Sequence, residues 1–360
     1  MAPVIAELAK HAGSVRSLTC VTGQHRQMLD PVLSLFGINP DYDLALMRPG
    51  QSLARLTASL FEGLDGVLRD AKPDWVLAQG DTATALVAGL VAYYHQCRFG
   101  HVEAGLRTGD KFRPFPEEMN RKLADTVADA LFVPTPRARD WLLREGCDAG
   151  RIHLTGNTVI DALLEIAARP FEWEKSRLAS LANGARLVLI TAHRRESFGR
   201  PLWEMCEAIR ELAAGYRQAG VQFVYPVHLN PRVKQPVHER LMGLENVTLV
   251  EPLDYVSMVH LMKRASVILT DSGGIQEEAP SFGVPVLILR DTTERPEGVE
   301  AGVARLVGTR RQRIVAETKR VLNASLRPQT DPQRISPYGD GRAAARIVSV
   351  LLQSGARHSS

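Results

Sequence analysis

Cysteine is scarce in this sequence, with four residues in 360, and no two of them form a Cys-x-x-Cys pair. This spacing argues against a zinc cage and a disulfide framework, and it is typical of a reducing compartment. No apolar run reaches the ~18–20 residues of a transmembrane helix, and the first residues lack the charged-then-apolar pattern of a signal peptide. We therefore expect a cytoplasmic protein with no metal site and no membrane partner.

The excess of positive charge is small. Lys and Arg total 44 against 40 Asp and Glu, for a net charge of +4. The densest basic run, at residues 310–313, is interpreted as the solvated face of a helix. Without a basic stripe, nucleic acid is not an expected partner. Hydrophobic residues at 45% and charged residues at 23% are those of a folded globular chain, which excludes a disordered one.

Several common catalytic motifs are absent. The sequence has no His-Glu-x-x-His, no Gly-x-Ser-x-Gly and no Gly-x-x-x-x-Gly-Lys. Their absence argues against a zinc metalloprotease, a serine hydrolase of the nucleophile-elbow type and a P-loop nucleotide hydrolase. A tightly bound NAD is not indicated either, because no Gly-x-Gly-x-x-Gly follows a predicted strand.

Short β-rich runs alternate with helical periods along the whole chain, which predicts an α/β fold with parallel sheets covered by helices on both faces. We expect two doubly wound, Rossmann-like lobes: residues 1–168, a linker at 169–185, and residues 186–340. A final helix is predicted at 341–353. Residues 1–11 already have the pattern of the helix that follows the first strand, so the first lobe is expected to lack that strand.

Acidic residues follow several predicted elements of the first lobe. Asp81 follows the run 75–80, Glu103 follows 99–102, and Glu117 follows Pro116. Asp81 could be a helix N-cap, and Glu117 a first-turn acid favoured by the helix dipole. Glu103 has no such structural explanation. Because the carboxyl ends of parallel strands share one sheet edge, three acids there would form a site for acid–base chemistry on a sugar.

The second lobe has a sequence typical of phosphate binding. Ser272, Gly273 and Gly274 stand between a predicted strand and a helix, where backbone N–H groups can hold a phosphate. Glu278, about one helical turn further on, is suited to accept hydrogen bonds from ribose hydroxyls. A plain strand-to-helix turn with Asp271 as its cap explains the same residues equally well.

Further cationic side chains follow other strands of this lobe. His193 and Arg194 follow the first strand, His228 follows the second, and Arg295 follows a later one. A single histidine is more often structural than a ligand. A histidine with arginines at a strand end beside a phosphate loop is an equally plausible pyrophosphate site.

With these motifs in one order, the chain resembles the non-hydrolysing UDP-N-acetylglucosamine 2-epimerases over residues 1 to about 346. The resemblance implies the GT-B fold, with substrate in the cleft between two lobes and the last helix returning to the first. It also implies a homodimer and a role in polysaccharide biosynthesis. The most specific stretches are 101–110, 116–121, 155–162, 193–199, 225–231, 270–280, 290–297 and 337–341.

The reaction implied by the resemblance interconverts UDP-N-acetylglucosamine and UDP-N-acetylmannosamine without NAD or another cofactor. UDP is eliminated to leave a bound 2-acetamidoglucal and is then added back with inversion at C2. The residue types fit this chemistry, because it requires acid–base groups at the sugar and cations at the departing diphosphate.

Roles for individual residues follow from the resemblance. Those for acid–base chemistry at the sugar are Asp81, Glu103 and Glu117. His193 is implied to be both a catalytic residue and a ligand of the diphosphate. The other residues implied to bind the diphosphate are Arg295, Ser272, Gly273 and Gly274, and Glu278 is implied to bind the ribose. An activator site for a second UDP-N-acetylglucosamine is implied at Gln24, Gln27, Arg194 and His228, although Ser59 stands where members commonly have an arginine.

Members of the family begin with a strand and a Gly-Thr-Arg-Pro-Glu loop followed by a lysine, which this sequence lacks. We therefore hypothesise that the true start lies upstream and that the sequence is truncated or its start misassigned. Three other functions remain alternatives: the hydrolysing epimerase, a glycosyltransferase, and a non-catalytic UDP-sugar-binding relic.

Overall fold

The computed structural model describes residues 1–23, 26–48, 50–181, 184–324 and 336–355. The chain divides into two compact units, one formed by Met1–Ala162 with Gly339–Ser360 and the other by Leu163–Tyr338. Both units contain parallel sheets alternating with helices, so the predicted α/β class is confirmed.

The first unit contains short strands followed by longer helices. Its strands are β1 (Cys20–Val21), β2 (Tyr42–Asp43), β3 (Trp75–Gln79), β4 (Arg98–Val102), β5 (Ala130–Val133) and β6 (Ile152–Leu154). Its helices are α1 (Ala2–Ala9), α2 (Arg26–Leu35), α3 (Leu53–Ala71), α4 (Ala83–Tyr94), α5 (Glu117–Val127), α6 (Pro136–Arg144), the start of α7 (Thr158–Ala168), and the last helix of the chain, α14 (Ala343–Gly355).

The second unit repeats this alternation. Its strands are β7 (Arg186–Thr191), β8 (Val221–Pro226), β9 (Val247–Val250), β10 (Val267–Thr270), β11 (Val286–Ile288) and β12 (Ala304–Leu306). Its helices, after the end of α7, are α8 (Arg200–Tyr216), α9 (Pro231–Leu241), α10 (Tyr255–Arg264), α11 (Gly273–Glu278), α12 (Pro296–Glu300) and α13 (Arg311–Asn323).

The sheet of the second unit has the strand order β12-β11-β10-β7-β8-β9, and all its pairs are parallel. This is the order of doubly wound nucleotide-binding sheets, in which the direction of winding reverses between β7 and β10. The two strands end together, since Thr270 pairs with Thr191 and their hydroxyl oxygens lie 2.6 Å apart. The residues that follow β7 and β10 therefore lie where such sheets bind ligands.

The strands of the first unit follow the same order, but they are divided between two separate sheets. Its strands form a four-stranded sheet, β3-β4-β5-β6, and a separate pair, β1-β2. By chain order, β1 and β2 correspond to β8 and β9, and β3 corresponds to β10. Within the described ranges no strand corresponds to β7, which confirms the predicted lack of a first strand. All five residues of β3 are only half-buried, whereas β5 is fully buried.

Helix α14 belongs to the core of the first unit. Its residues Ala344, Ile347, Val348 and Leu351 are buried and form one apolar cluster with Val4 of α1 and with Val102, Ala130 and Phe132 of the sheet. The spacing of the four residues along α14 produces one apolar stripe, as expected for a helix with one buried face. The last helix of the chain therefore packs against α1 and against the strands β4 and β5 of the first unit.

The carboxylate of Asp161, on α7, binds the first turn of α14. It accepts hydrogen bonds from the backbone N–H groups of Ala343 at 3.1 Å and Ala344 at 2.8 Å. These are two of the donors that a helix leaves unpaired at its N-terminus. Burial raises the pKa of Asp161, and the two backbone hydrogen bonds oppose that rise.

We predict that Asp161→Ala lowers the free energy of unfolding by about 1–2 kcal/mol, the usual cost of losing a helix cap. Asp161→Asn is the matched control, because its amide oxygen can still accept a hydrogen bond. Urea denaturation of the two variants and the parent protein measures the difference. An alanine variant as stable as the asparagine variant would contradict the role of this cap.

Candidate active site

Two of the predicted acids of the first unit lie at neighbouring strand ends. The last residues of β3 and β4, Gln79 and Val102, pair in the parallel sheet, and Asp81 and Glu103 follow them. The Gln79 side-chain amide donates a hydrogen bond to Glu103 Oε2 at 3.1 Å. Glu117 is the first residue of α5 and is half-buried. Asp81 and Glu103 are therefore at the sheet edge where they were predicted.

Glu103 has an unusual backbone conformation. Its φ of 66° lies in the left-handed region, which is uncommon for residues other than glycine. The neighbouring backbone is held in place, since the N–H of Ala104 donates to Phe132 O at 3.1 Å and that of Gly80 donates to Val102 O at 3.0 Å. Residues whose strained backbone is held by their surroundings are concentrated at functional sites. The conformation of Glu103 therefore supports its place in the candidate site.

Asp81 is held by α5. Its Oδ2 lies 2.5 Å from Arg121 Nη2, and its carbonyl oxygen accepts a hydrogen bond from the Asn120 amide at 3.0 Å. The interpretation of Asp81 as a helix cap is wrong, because the N-cap of α4 is Thr82, whose hydroxyl accepts from Ala85 N at 3.3 Å. The Asp81 carboxylate is therefore paired with a guanidinium instead of a helix end.

Helix α5 presents a charged face to the interior, which was not predicted from the sequence. Glu118, Arg121 and Asp125 are all buried and are spaced i, i+3 and i+7, on one face of the helix. The Glu118 carboxylate accepts hydrogen bonds from the backbone N–H groups of Thr108 at 3.1 Å and Gly109 at 3.2 Å. It thus holds the loop after Glu103. The i, i+3, i+7 spacing was visible in the sequence, but charged residues are ordinarily assigned to solvent.

Asp125 is the centre of a buried polar network. Its Oδ1 lies 2.5 Å from Nδ1 of His101, a fully buried residue of β4, and the other ring nitrogen of His101 lies 2.7 Å from Gly80 O. Its Oδ2 lies 2.8 Å from Arg107 Nη1 and accepts from Gly105 N at 3.2 Å. One carboxylate therefore connects the turn before Asp81, the strand before Glu103 and the loop after it.

In the second unit, Asp271 organises the loop after β7. It is fully buried, and its carboxylate accepts hydrogen bonds from the backbone N–H groups of His193 and Arg194, each at 2.9 Å, and from the Ser197 hydroxyl at 3.2 Å. The alternative that Asp271 caps the following helix is wrong, since the N-cap of α11 is Ser272. A carboxylate at the end of β10 thus determines where the residues after β7 lie.

His193 lies beside His228, with parallel rings whose centres are 5.5 Å apart. Burial lowers the pKa of His193, and the charges of His228 and Arg194 lower it further, against an opposing effect of Asp271. The imidazole is therefore mostly neutral near pH 7 and offers one donor and one acceptor nitrogen.

Two guanidinium groups converge on Gly273. A Cβ atom placed on this glycine would lie 3.4 Å from Arg194 Nη2 and 3.6 Å from the guanidinium carbon of Arg295. Both guanidinium groups therefore lie next to the backbone between Ser272 and Gly274. The structure thus brings Arg194, predicted for the activator site, next to Arg295, predicted for the diphosphate.

Glu278 is a buried acid with one phenolic partner. Tyr255 donates a hydrogen bond to its Oε1 at 3.2 Å. Burial raises the pKa of Glu278 to about 7, the Tyr255 hydrogen bond opposes the rise, and the nearby Glu277 adds to it. Such a carboxyl gains most from a ligand that donates hydrogen bonds to its ionised form.

The other residues predicted for the activator site are described only in part. Gln24 lies outside the described residues, and Gln27 belongs to α2.

Over the ranges that the structure describes, no three His, Cys, Asp or Glu side chains form a cluster able to hold a metal ion. No helix within those ranges combines the length and apolar character needed to cross a membrane.

We predict that Asp125→Asn destabilises the protein by about 3 kcal/mol, because it removes the charge that pairs with the buried Arg107 guanidinium and disturbs the hydrogen bond to the buried His101. Asp140→Asn is the control, since Asp140 is exposed and pairs with its neighbour Arg139. This control should change the free energy of unfolding by less than about 0.5 kcal/mol. Urea denaturation at pH 7.5 measures both, and equal stability of the two variants would refute the network's role.

Glu278→Gln should stabilise the ligand-free protein at pH 8. The pKa of Glu278 rises from 4.5 to about 7 on folding. The free energy of unfolding of the parent protein should therefore fall by up to about 3 kcal/mol as the pH rises from 4.5 to above 7. The amide does not ionise, and its gain over the parent protein should be larger at pH 8 than at pH 5. The control is Glu165→Gln, an exposed residue paired with Arg169. A gain that does not change with pH would contradict the raised pKa.

Comparisons with known proteins show which family this chain resembles. The family described as UDP-N-acetylglucosamine 2-epimerase matches residues 6–352. The UDP-N-acetylglucosamine 2-epimerase of Escherichia coli strain K12 is 50% identical over 357 residues, which cover 98% of this chain and 94% of that protein.

Two solved structures are similar over nearly the whole chain. The UDP-GlcNAc 2-epimerase of Neisseria meningitidis, bound to UDP-GlcNAc, is 43% identical with a TM-score of 0.82, covering 98% of this chain and 96% of its own. The UDP-GlcNAc 2-epimerase of Methanocaldococcus jannaschii, in complex with UDP-GlcNAc and UDP, is 32% identical with a TM-score of 0.75. The match covers 98% of this chain and 95% of that one. This chain therefore belongs to the UDP-N-acetylglucosamine 2-epimerase family.

Proposed function

We propose that this protein interconverts UDP-N-acetylglucosamine and UDP-N-acetylmannosamine without net hydrolysis, by eliminating UDP and adding it back. The observation that carries the proposal is the pair of carboxylates, Asp81 and Glu103, that follow the hydrogen-bonded strands β3 and β4. Membership in the epimerase family supports the substrate.

The chemistry explains why carboxylates are needed. The C2 hydrogen of the sugar is next to no carbonyl group, so its direct removal as a proton is unfavourable. Cleavage of the C1–O bond lets UDP leave with the bonding electrons, and a carboxylate takes the C2 proton as the C1–C2 double bond forms. In the reverse step the UDP oxygen attacks C1 and a carboxylic acid returns a proton to the opposite face of C2, which inverts that carbon.

We assign the acid–base steps to Asp81, Glu103 and Glu117. Glu103 is held rigidly at the end of β4, and Asp81 is held by its ion pair with Arg121. Fixed positions of this kind favour proton transfer, because the carboxylate need not reorganise in the transition state.

We assign binding of the leaving group to the second unit. The guanidinium of Arg295, the His193 imidazole and the backbone from Ser272 to Gly274 would stabilise the negative charge that develops on the diphosphate. Glu278 would accept hydrogen bonds from the ribose hydroxyls. The glycine at 273 supports this assignment, because a side chain there would occupy the space next to both guanidinium groups.

The proposal also includes the setting of the reaction: a cytoplasmic homodimer that supplies polysaccharide biosynthesis. All four cysteines are free thiols, which fits a reducing compartment. Light scattering of the purified protein would test the dimer, and a monomer that is fully active would refute it.

The reaction is tested by incubating the protein with UDP-N-acetylglucosamine in deuterated water and following the sugar by NMR. We expect deuterium at C2 in both UDP-sugars, because the proton returned to C2 exchanges with solvent. Accumulation of free N-acetylmannosamine and UDP would instead indicate the hydrolysing reaction. UDP release only with an added acceptor would indicate a glycosyltransferase, and UDP binding without any product would indicate a non-catalytic relic.

Glu103→Gln should slow this deuterium incorporation by about 10²–10⁴-fold, the usual contribution of an acid–base group. Its dissociation constant for UDP should stay within about twofold of the parent value, because the proposed UDP contacts are all in the second unit. Glu62→Gln, an exposed position on α3, is the matched control and should keep full activity. Undiminished exchange in Glu103→Gln would remove Glu103 from the mechanism.

A further inference from the structure

A carboxylate lies at the centre of the arginine cluster of the second unit. Glu294 Oε1 is 3.3 Å from Arg194 Nη1 and 3.3 Å from Arg290 Nη2. Its other oxygen, Oε2, is 3.4 Å from Arg295 Nη1. One side chain thus contacts the same two guanidinium groups, of Arg194 and Arg295, that converge on Gly273.

The surroundings keep this carboxylate charged. Partial burial raises the pKa of Glu294, but the hydrogen bond from Arg290 and the positive charges of all three arginines outweigh this effect, and the net pKa is lowered. A carboxylate and a phosphate offer guanidinium groups similar pairs of acceptor oxygens. Glu294 therefore provides the arginines with the kind of group that a diphosphate would provide.

Glu294 is more exposed than the arginines that it contacts. Its side chain is 41% exposed, whereas the Arg290 side chain is only 8% exposed. Arg290 has a second carboxylate partner, with Nε 2.6 Å from Glu196 Oε1, and Arg295 has another, with Nε 2.6 Å from Glu277 Oε1. Removing Glu294 would therefore free donor groups of Arg194 and Arg295, while Arg290 keeps Glu196 and Arg295 keeps Glu277 as a carboxylate partner.

We propose that Glu294 is an internal counter-anion, which pairs with the arginines in the empty protein and is displaced by the diphosphate of the bound nucleotide. The inference rests on the proposed function, because that function makes a diphosphate the natural competitor. Each binding event then replaces arginine–carboxylate contacts by arginine–phosphate contacts. Glu294 consequently weakens nucleotide binding and favours the release of UDP-containing product.

The test compares Glu294→Gln with a variant that changes the charge equally. Glu196→Gln is that control, because Glu196 contacts Arg290, the third arginine of the cluster, and its side chain is 54% exposed. Isothermal titration calorimetry of the full chain measures the dissociation constants for UDP and for uridine, which lacks the diphosphate.

We expect Glu294→Gln to bind UDP about tenfold more tightly than the parent protein, a gain consistent with losing a few partly exposed ion pairs. Uridine affinity should not change, and Glu196→Gln should bind UDP within about threefold of the parent. The thermal midpoint of ligand-free Glu294→Gln should fall, because its arginines repel one another, and saturating UDP should raise it more than it raises the parent midpoint.

The outcomes separate this inference from the proposed function. Unchanged or weaker UDP binding by a folded Glu294→Gln would overturn the inference, and so would equal tightening in Glu196→Gln or tightening for uridine. Failure of the parent protein to bind UDP would refute the proposed function itself.

Discussion

Each unit depends on one buried carboxylate that holds the backbone or side chains around the end of a parallel strand. In the first unit Asp125 contacts His101 of β4 and Arg107 in the loop that follows. In the second unit Asp271 accepts from the N–H groups of His193 and Arg194 after β7. Buried polar groups of this kind stabilise only when fully paired, so each carboxylate specifies one arrangement of its loop. The candidate site residues are the neighbours of these two fixed points.

The two units carry opposite kinds of charge at their strand ends. Asp81 and Glu103 follow strands of the first unit, whereas Arg194 and Arg295 follow strands of the second. The proposed reaction needs both, since a proton leaves the sugar while negative charge develops on the diphosphate. Glu294 gives the arginines of the second unit a carboxylate counter-charge. The free energy of binding is accordingly a difference between two sets of arginine contacts.

Much of the site was predictable because parallel sheets place polar residues at one edge. A residue directly after a buried strand, such as Glu103, has a position determined by topology. The roles of Asp81 and Asp271 were not predictable in the same way. Both could be helix caps by local pattern, yet Asp81 pairs with Arg121, 40 residues later, and Asp271 binds the backbone 77 residues earlier. The buried charges of helix α5 could not be predicted for a similar reason. The partners of Glu118 and Asp125 belong to other elements of the chain.

The amino-acid sequence by itself determined the α/β class, the gap in the first sheet and the residues that follow each strand. These depend on short-range patterns of apolar and polar residues, which set the period of each helix and strand. Only the tertiary structure decided which carboxylates are paired, and with which cations. Glu294 between its arginines and Asp125 between His101 and Arg107 illustrate this, since an ion pair depends on distance in space, and folding brings together charges that the chain keeps apart.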